Sequence, residues 1–354
     1  MALRSIAVLG LGRVGTLAAK LLHQEGFAVA AFDAHTPNER LPFPVMAADL
    51  ATDAGVASAI GAFDGVLSCL PYQLNRRIAT AAHARGLHYF DLTEDVPTTH
   101  AILAMAKTAR GVMAPQCGLA PGFVGIVGAA QATAFEHCRA LRLRVGALPQ
   151  NPTGLMGYAF NWSPEGVVNE YLNDCEVIEE GVAKTVSSME WIETVYVEGV
   201  QLEAFTTSGG LGTLCETFLG KVDNVDYKTL RYPGHMKLMN FFFHELLMRE
   251  RRELAGQILT YAKPPVDDDV VYVHVSAEGY NRGRLSRREF VQAYRPIELA
   301  GATQTAIAWT TSASVVAVIS LVREGALPER GFLKQEEVPL EAFLATPTGA
   351  LFAR

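Results

Sequence analysis

Residues Ser5 to Gly15 read Ser-Ile-Ala-Val-Leu-Gly-Leu-Gly-Arg-Val-Gly, an apolar strand that runs straight into a Gly-x-Gly-x-x-Gly turn. A helical stretch, a second apolar strand over Phe27–Phe32 and an acid, Asp33, follow. The glycine triplet alone says little. Flanked by strand and helix, with an acid about 20 residues further on, it is the fingerprint of a dinucleotide site in a βαβ unit. Gly10 permits the tight turn, Gly12 lets the backbone approach a pyrophosphate, and Gly15 lets the helix close on the strand. The first helical turn, with Arg13 and Val14, offers N–H groups and a partial positive charge to the phosphates. Asp33 is expected to accept hydrogen bonds from the adenosine ribose. Its charge repels a 2′-phosphate, so NAD is expected over NADP.

The alternation continues. Ile6–Leu9, Phe27–Phe32, Val45–Ala48, Val66–Leu70, Tyr89–Leu92 and Val112–Pro115 read as strands separated by helical segments. Gly26, Gly86 and Gly111 stand where helices are expected to stop. This predicts an α/β fold, a Rossmann-type parallel sheet with helices on both faces. Beyond about residue 138 the texture changes. Leu141–Val145 and Val271–Val275 alternate apolar and polar residues, as strands with one wet face do. Helices are expected over Glu165–Leu172 and Met236–Leu254. The middle of the chain therefore reads as a second, α+β domain with a mixed or antiparallel sheet. The expected division is a cofactor domain over 1–122, with 300–345 packing back on it, and a second domain over 123–299.

Bulk properties narrow the function. At 354 residues the length suits two domains. A net charge of −7 disfavours nucleic acid or an anionic membrane as partner. The five cysteines form no Cys-x-x-Cys pair, so neither a disulfide framework nor a metal site is expected. The chain enters a strand at once, without a charged leader. Its most apolar run, Thr305–Val322, holds Thr and Ser residues that suit a buried helix. A cytoplasmic location is expected. Phe241-Phe242-Phe243 and Leu246-Leu247-Met248 read either as core or as a self-association face, and a homo-oligomer is expected.

Ligands of parallel sheets sit outside the carboxyl ends of the strands, so the residues there are the candidates. Leu70 and Pro71 end the fourth strand and place Tyr72 at the sheet mouth, to meet a ligand or to pack under a helix. Asp49, past the third strand, joins Leu70 and Pro71 as a candidate cofactor contact. Asp91 lies late in an apolar strand, where an unpaired carboxylate is costly; a functional acid or a helix cap explains it. Asp95 or Thr93 would cap the helix that follows. Gln116, Cys117 and Gly118 follow the sixth strand, with Pro121 and Gly122 opening a helix. Further on, Trp162-Ser163-Pro164-Glu165 reads as a helix start, with Ser163 as cap and Glu165 at the positive end. Glu165 is also an acid that a substrate ammonium would meet. Arg231 reads as a fork for a carboxylate or as a salt-bridge partner.

Together these segments resemble the saccharopine dehydrogenase family. The resemblance rests on the Gly15 fingerprint, Leu70-Pro71-Tyr72, Cys117-Gly118-Leu119-Ala120-Pro121-Gly122, Trp162-Ser163-Pro164-x-Gly166, Thr207-Ser208-Gly209-Gly210-Leu211, Thr229-Leu230-Arg231-Tyr232-Pro233-Gly234, and Trp309-Thr310-Thr311 opening a late helix. Within the family the chain is most similar to the lysine 6-dehydrogenases. Saccharopine-forming reductases carry Arg where this chain has Glu165, and tend to Asp where it has Ala120. The resemblance implies oxidation of the terminal amine of L-lysine or a similar diamino acid with NAD, to a semialdehyde that cyclises. Tyr72, Cys117, Gly118, Trp162, Ser163, Glu165 and Thr310 would line the substrate side. An ammonium near a pKa of ~10.4 has no lone pair to expel hydride, so a base is required; Asp91 and His235 are the candidates, with Tyr72 as orienter. Arg231 would hold the α-carboxylate. A reductase that joins an amine to a carbonyl compound, and a dinucleotide-binding regulator without turnover, are the alternatives.

Overall fold

The computed structural model describes residues 3–37 and 39–353. The first third alternates strand and helix as β1 (Ser5–Leu9), α1 (Arg13–Gln24), β2 (Ala28–Asp33), β3 (Val45–Ala47), α2 (Asp53–Ile60), β4 (Gly65–Ser68), α3 (Tyr72–Arg85), β5 (His88–Asp91), α4 (Val96–Ala106), β6 (Val112–Ala114) and α5 (Phe123–Ala132). The middle holds β7 (His137–Pro149), α6 (Pro164–Leu172), β8 (Cys175–Glu179), β9 (Val182–Val186), β10 (Glu193–Val197), β11 (Val200–Thr206), α7 (Leu214–Phe218), β12 (Val222–Arg231), α8 (His235–Asn240), α9 (Arg252–Ala262), β13 (Asp269–Asn281) and β14 (Arg284–Tyr294). Then come β15 (Ile297–Leu299), β16 (Ala302–Gln304), α10 (Ala306–Arg323), β17 (Gly331–Phe332) and α11 (Leu340–Ala345).

The chain divides into two units. One comprises Met1–Ile126, Ala300–Ala302 and Ala308–Arg354; the other comprises Val127–Leu299 and Thr303–Ile307. The first is a parallel sheet of seven strands in the order β17-β6-β5-β4-β1-β2-β3. Strands of such a sheet are covered on both faces, which is why β1 and β4 are mostly apolar, with Ser5 and Ser68 at their ends. Their side chains pack with Ile60, Ile78, Tyr89, Ile102 and Met113 in one core. The strand order reverses between β2, on one side of β1, and β4, on the other. That is the switch point where α/β sheets take ligands.

The second unit is a mixed sheet in the order β10-β11-β12-β7-β13-β14, with β8 paired to β12 and β9 to β8. β7 and β12 run parallel and the other pairs antiparallel. α6 and α9 pack together. Val167, Val168, Tyr171, Phe205, Leu230, Phe243 and Leu259 form the core.

Three expectations need correction. The single helix over Met236–Leu254 is broken: α8 gives way to a π-turn at Phe241–Glu245 and a 3₁₀ turn at Met248–Glu250, with Leu247 left-handed at φ +56° between them. Phe243 is thereby buried while Phe241, Leu246 and Leu247 stay exposed. The late helix opens at Ala306, not at the Thr310-Thr311 pair, so Thr310 lies inside it, fully buried. α10 is long and apolar enough to cross a membrane by composition, and 83% of it is buried within the fold. Finally, β17 was not foreseen, since two residues carry no periodicity.

Candidate functional site

At the carboxyl end of β1 the chain makes a turn that only glycine can make. Gly10 sits at φ +93°. A Cβ on Gly15 would lie 1.9 Å from the Gly10 carbonyl oxygen, so α1 closes on the turn without room for one methyl group. Gly12 differs: a Cβ there would meet nothing within 4 Å. It is the N-cap of α1, has no side-chain cap, and no acid stands in the first turn. The helix end therefore begins at a residue without a side chain, with room beside it, the arrangement a pyrophosphate cradle uses. Arg13 and Val14 open the helix, Arg13 exposed and Val14 half-buried. Asp33, ending β2, lies across the turn: its Oδ2 accepts the Leu11 amide at 2.6 Å and its Oδ1 the His35 amide at 2.9 Å. The residues present fit a dinucleotide, with Gly12 and the α1 amides at the phosphates and Asp33 at the ribose.

The ends of β4, β5 and β6 follow along the sheet. Leu70 packs against the glycine turn, where a Gly10 Cβ would come within 3.1 Å of it. Pro71 is the N-cap of α3, whose first residue is Tyr72. Tyr72 is half-buried, and its hydroxyl has no hydrogen bond among the described residues. Asp49, by contrast, is an exposed turn residue whose Oδ1 accepts the Ala51 amide at 3.1 Å.

Asp91 is fully buried and its carboxylate is occupied. Oδ1 accepts the amides of Thr93 (2.9 Å) and Gln116 (3.0 Å), and Oδ2 accepts the Tyr89 hydroxyl at 2.7 Å. Burial nevertheless pushes its carboxyl up to about 6, against the pull of these three donors. Asp91 thus ties the end of β5 to the loop after β6, where Gln116 is left-handed at φ +66°. Cys117 is fully buried too. Its thiol donates to the Ala114 carbonyl at 3.2 Å and meets Gln335 at 3.2 Å, and burial, with Asp91 adding to it, pushes the thiol well above its usual range. A thiol so held is not a nucleophile. Gly118 bridges to Gly122, whose own Cβ would lie 1.9 Å from the Gly118 carbonyl.

In the second unit the structure brings Arg231 and His235 together through a residue the sequence did not mark. Arg231 Nε donates to the Tyr171 hydroxyl at 2.7 Å, and that hydroxyl donates to His235 Nε2 at 3.0 Å. His235 Nδ1 in turn donates to the Met156 carbonyl at 2.9 Å. Burial, with the Arg231 charge beside it, holds the imidazole down to about 3, so it is neutral. Neither ring nitrogen is left to take a proton. Arg231 Nη1 donates to the Leu230 carbonyl at 2.8 Å and to Thr229 Oγ1. The guanidinium lies over the Tyr158 ring at 4.7 Å. Its Nη2 lies 4.0 Å from the Glu170 carboxylate. Glu203 holds the start of α8 from β11, accepting the Gly234 and Met236 amides at 2.7 and 2.6 Å. At the opening of α6, Ser163 Oγ accepts the Gly166 amide at 3.0 Å and donates to Glu165 at 3.2 Å; Glu165 is exposed and Trp162 packs on the core.

Tyr171, Glu170 and Glu203 were not legible as site residues, because nothing in their spacing links them to Arg231 or His235.

Comparison with known proteins adds three findings. A family model of the saccharopine dehydrogenase NADP binding domain matches residues 6–114, and one of the saccharopine dehydrogenase C-terminal domain matches residues 118–348. Saccharopine dehydrogenase (NADP(+), L-glutamate-forming) of Pyricularia oryzae is 23% identical over 201 residues, 52% of this chain and 44% of that relative, so the match spans less than half the relative's length. Among solved structures, saccharopine dehydrogenase (L-Glu forming) from Saccharomyces cerevisiae aligns with TM-score 0.73 at 15% identity over 94% of both chains. The DAP dehydrogenase of C. glutamicum, in complex with DAP, aligns with TM-score 0.51 at 12% identity over 100% of this chain and 99% of that one. At these identities the likeness is one of fold.

Proposed function

The chain belongs to the saccharopine dehydrogenase family, and from that premise we propose that it oxidises the terminal amine of L-lysine, or of a similar diamino acid, with NAD. The glycine turn into α1, without a side-chain cap and pinned by Asp33, is the observation that carries this reading. A bound nicotinamide supplies the hydride acceptor; everything else falls to the chain's own residues. Gly12 and the α1 amides hold the diphosphate. Asp33 takes the ribose hydroxyls and leaves no welcome for a 2′-phosphate. The matched domain and the P. oryzae relative are named for NADP; the carboxylate at Asp33 is the reason not to carry that preference over.

The substrate assignment rests on charge. The Arg231 fork, buried and oriented by Tyr171, suits one α-carboxylate. Glu165, in place of the Arg of saccharopine-forming reductases, disfavours a substrate with more carboxylates and favours one bearing an ammonium. The substrate must lose a proton before its carbon gives up hydride, and water then hydrolyses the iminium to the aldehyde and ammonium. The test is a screen of diamino acids with NAD and NADP, followed by reduced-nicotinamide absorbance. Turnover of lysine with NAD is expected. Turnover only when a second carbonyl substrate is supplied with reduced cofactor would replace this reading by the amine-joining reductase.

A further inference from the structure

α9 has two apolar faces, and the fold of the second unit uses one of them. Ala255 and Leu259 are buried in its core. On the same side Arg252 donates to Asn169 Oδ1 at 3.0 Å and to Asn173 Oδ1 at 2.7 Å. Leu254, Ile258 and Tyr261 follow one another at i, i+4 and i+7 along a second stripe, roughly 120° round the helix from the first. They are 42%, 41% and 92% exposed. The turns that lead into α9 add Leu246 at 53% and Leu247 at 49%. A surface helix turns its polar side to water, so a second apolar stripe at helical spacing marks a face that something covers.

The area fits a second copy of the chain. At roughly 200 Å² for a whole large apolar side chain, these five exposures amount to roughly 550 Å². A standard interface takes ~800 Å² from each partner, about 65% of it apolar where identical chains meet. The stripe and its turns therefore supply the apolar share of one side of a homodimer. The face also complements itself. A two-fold axis requires that residue i meet residue j while j meets i. Two α9 helices lying antiparallel, with the axis at the level of Gly256, set Leu254 against Ile258 of the partner subunit. They also set the exposed Arg251 against Tyr261 of the partner subunit, a guanidinium beside an open tyrosine ring. Glu250 then stands opposite Ala262 of the partner subunit, so no acid meets an acid. We propose that this face joins two copies of the chain, α9 packing antiparallel on α9 about a two-fold axis.

The test uses the full-length protein and reads mass, so it stands apart from the reaction. Sedimentation equilibrium is expected to give twice the chain mass. Ile258→Asp puts a charge where the two stripes meet and should raise the dimer dissociation constant by roughly 100-fold or more. Its circular dichroism should be unchanged, because the side chain lies outside the core. Leu285→Asp, on the edge strand β14 and 49% exposed, should leave the mass as it is. A second pair of variants reads the arrangement. In the antiparallel pair, residue 251 of one copy lies about 15 Å along the helix from residue 251 of the other, and residue 261 likewise, while 251 and 261 are opposite. Under a mild oxidant an equimolar mixture of Arg251→Cys and Tyr261→Cys proteins is expected to form a cross-linked dimer on a non-reducing gel, and either protein alone to show only the wild-type background. A protein that is monomeric at micromolar concentration overturns the proposal. So does a dimer that Ile258→Asp leaves intact, or one that Leu285→Asp breaks instead, which would put the interface on β14. Cross-linking of either cysteine variant with itself overturns the antiparallel arrangement.

Discussion

Asp33 Oδ2 accepts the backbone amide of Leu11 at 2.6 Å, so the acid proposed to hold the ribose also pins the glycine turn. Its two jobs can be separated. Asp33→Asn keeps an oxygen for the Leu11 amide and removes the charge that repels a 2′-phosphate. Asp33→Ala removes both. We expect Asn to preserve most NAD affinity while NADP affinity rises, and Ala to weaken both nucleotides. Titration of each variant with NADH and NADPH by fluorescence checks this. Equal losses in the two variants would mean that the charge, and not the turn anchor, is all that counts.

Asp91 carries a pH signature. Its carboxyl stands at about 6 in the fold, against 3.8 for a solvated aspartate, because burial disfavours the charge. The native state therefore binds a proton more readily than the unfolded chain does. Stability contributed by the protonated acid is complete below about pH 4, falls as the pH climbs toward 6, and is level beyond. The drop amounts to ~3 kcal/mol at most. Asp91→Asn should remove this slope while folding well: its oxygen still accepts Thr93 and Gln116, and its amide can donate to Tyr89, whose hydroxyl has the Asn75 carbonyl 3.3 Å away as an alternative acceptor. Asp91→Ala instead orphans two buried amides, those of Thr93 and Gln116, at about 1–3 kcal/mol each, and leaves the Tyr89 hydroxyl only the Asn75 carbonyl. Urea unfolding of the three proteins between pH 4 and 7 distinguishes them.

Tyr171 sits between a fixed cation and a neutral imidazole, and removing one oxygen should cost both. Tyr171→Phe leaves Arg231 Nε without an acceptor and His235 Nε2 without a donor, deep in the core. A stability loss of about 2–4 kcal/mol is expected from two orphaned polar atoms. If Arg231 holds the substrate carboxylate, the loosened guanidinium raises KM for lysine more than it lowers kcat. Unfolding curves read the first effect and steady-state kinetics the second; an unchanged KM would detach Arg231 from the substrate.

The parts legible in the sequence were those whose causes are local. Gly10, Gly12 and Gly15 act within six residues, and the strands of the parallel sheet are apolar runs because both of their faces are covered. Ser163 capping Gly166 is likewise a four-residue event. What stayed hidden depends on residues far apart in the chain. Tyr171 reaches Arg231 across 60 residues and His235 across 64, so no spacing announces the relay. Asp91 reads in the sequence as a functional acid or a helix cap, and its partner Gln116 lies 25 residues on.

The glycine turn allows folding and binding to be separated by two alanines. At Gly15 an added methyl would stand 1.9 Å from the Gly10 carbonyl, and the obstacle is backbone that cannot swing away. Gly15→Ala must therefore push α1 off β1, an overpacking cost of about 1–3 kcal/mol or more. At Gly12 the same methyl meets no atom of the chain, and the backbone there, at φ −68° and ψ −173°, suits any residue. Gly12→Ala should leave the melting temperature of the unliganded protein within a degree or two, or raise it slightly, since alanine costs less backbone entropy than glycine. Its methyl would instead occupy the space through which a diphosphate approaches the α1 amides, and nucleotide affinity should fall by roughly 10-fold or more. Thermal melts with and without NAD decide the matter: the wild type gains stability from the nucleotide, Gly15→Ala starts lower, and Gly12→Ala starts at the wild-type value and gains little. A Gly12→Ala protein stabilised by NAD as fully as the wild type would show that the diphosphate does not lie against this turn.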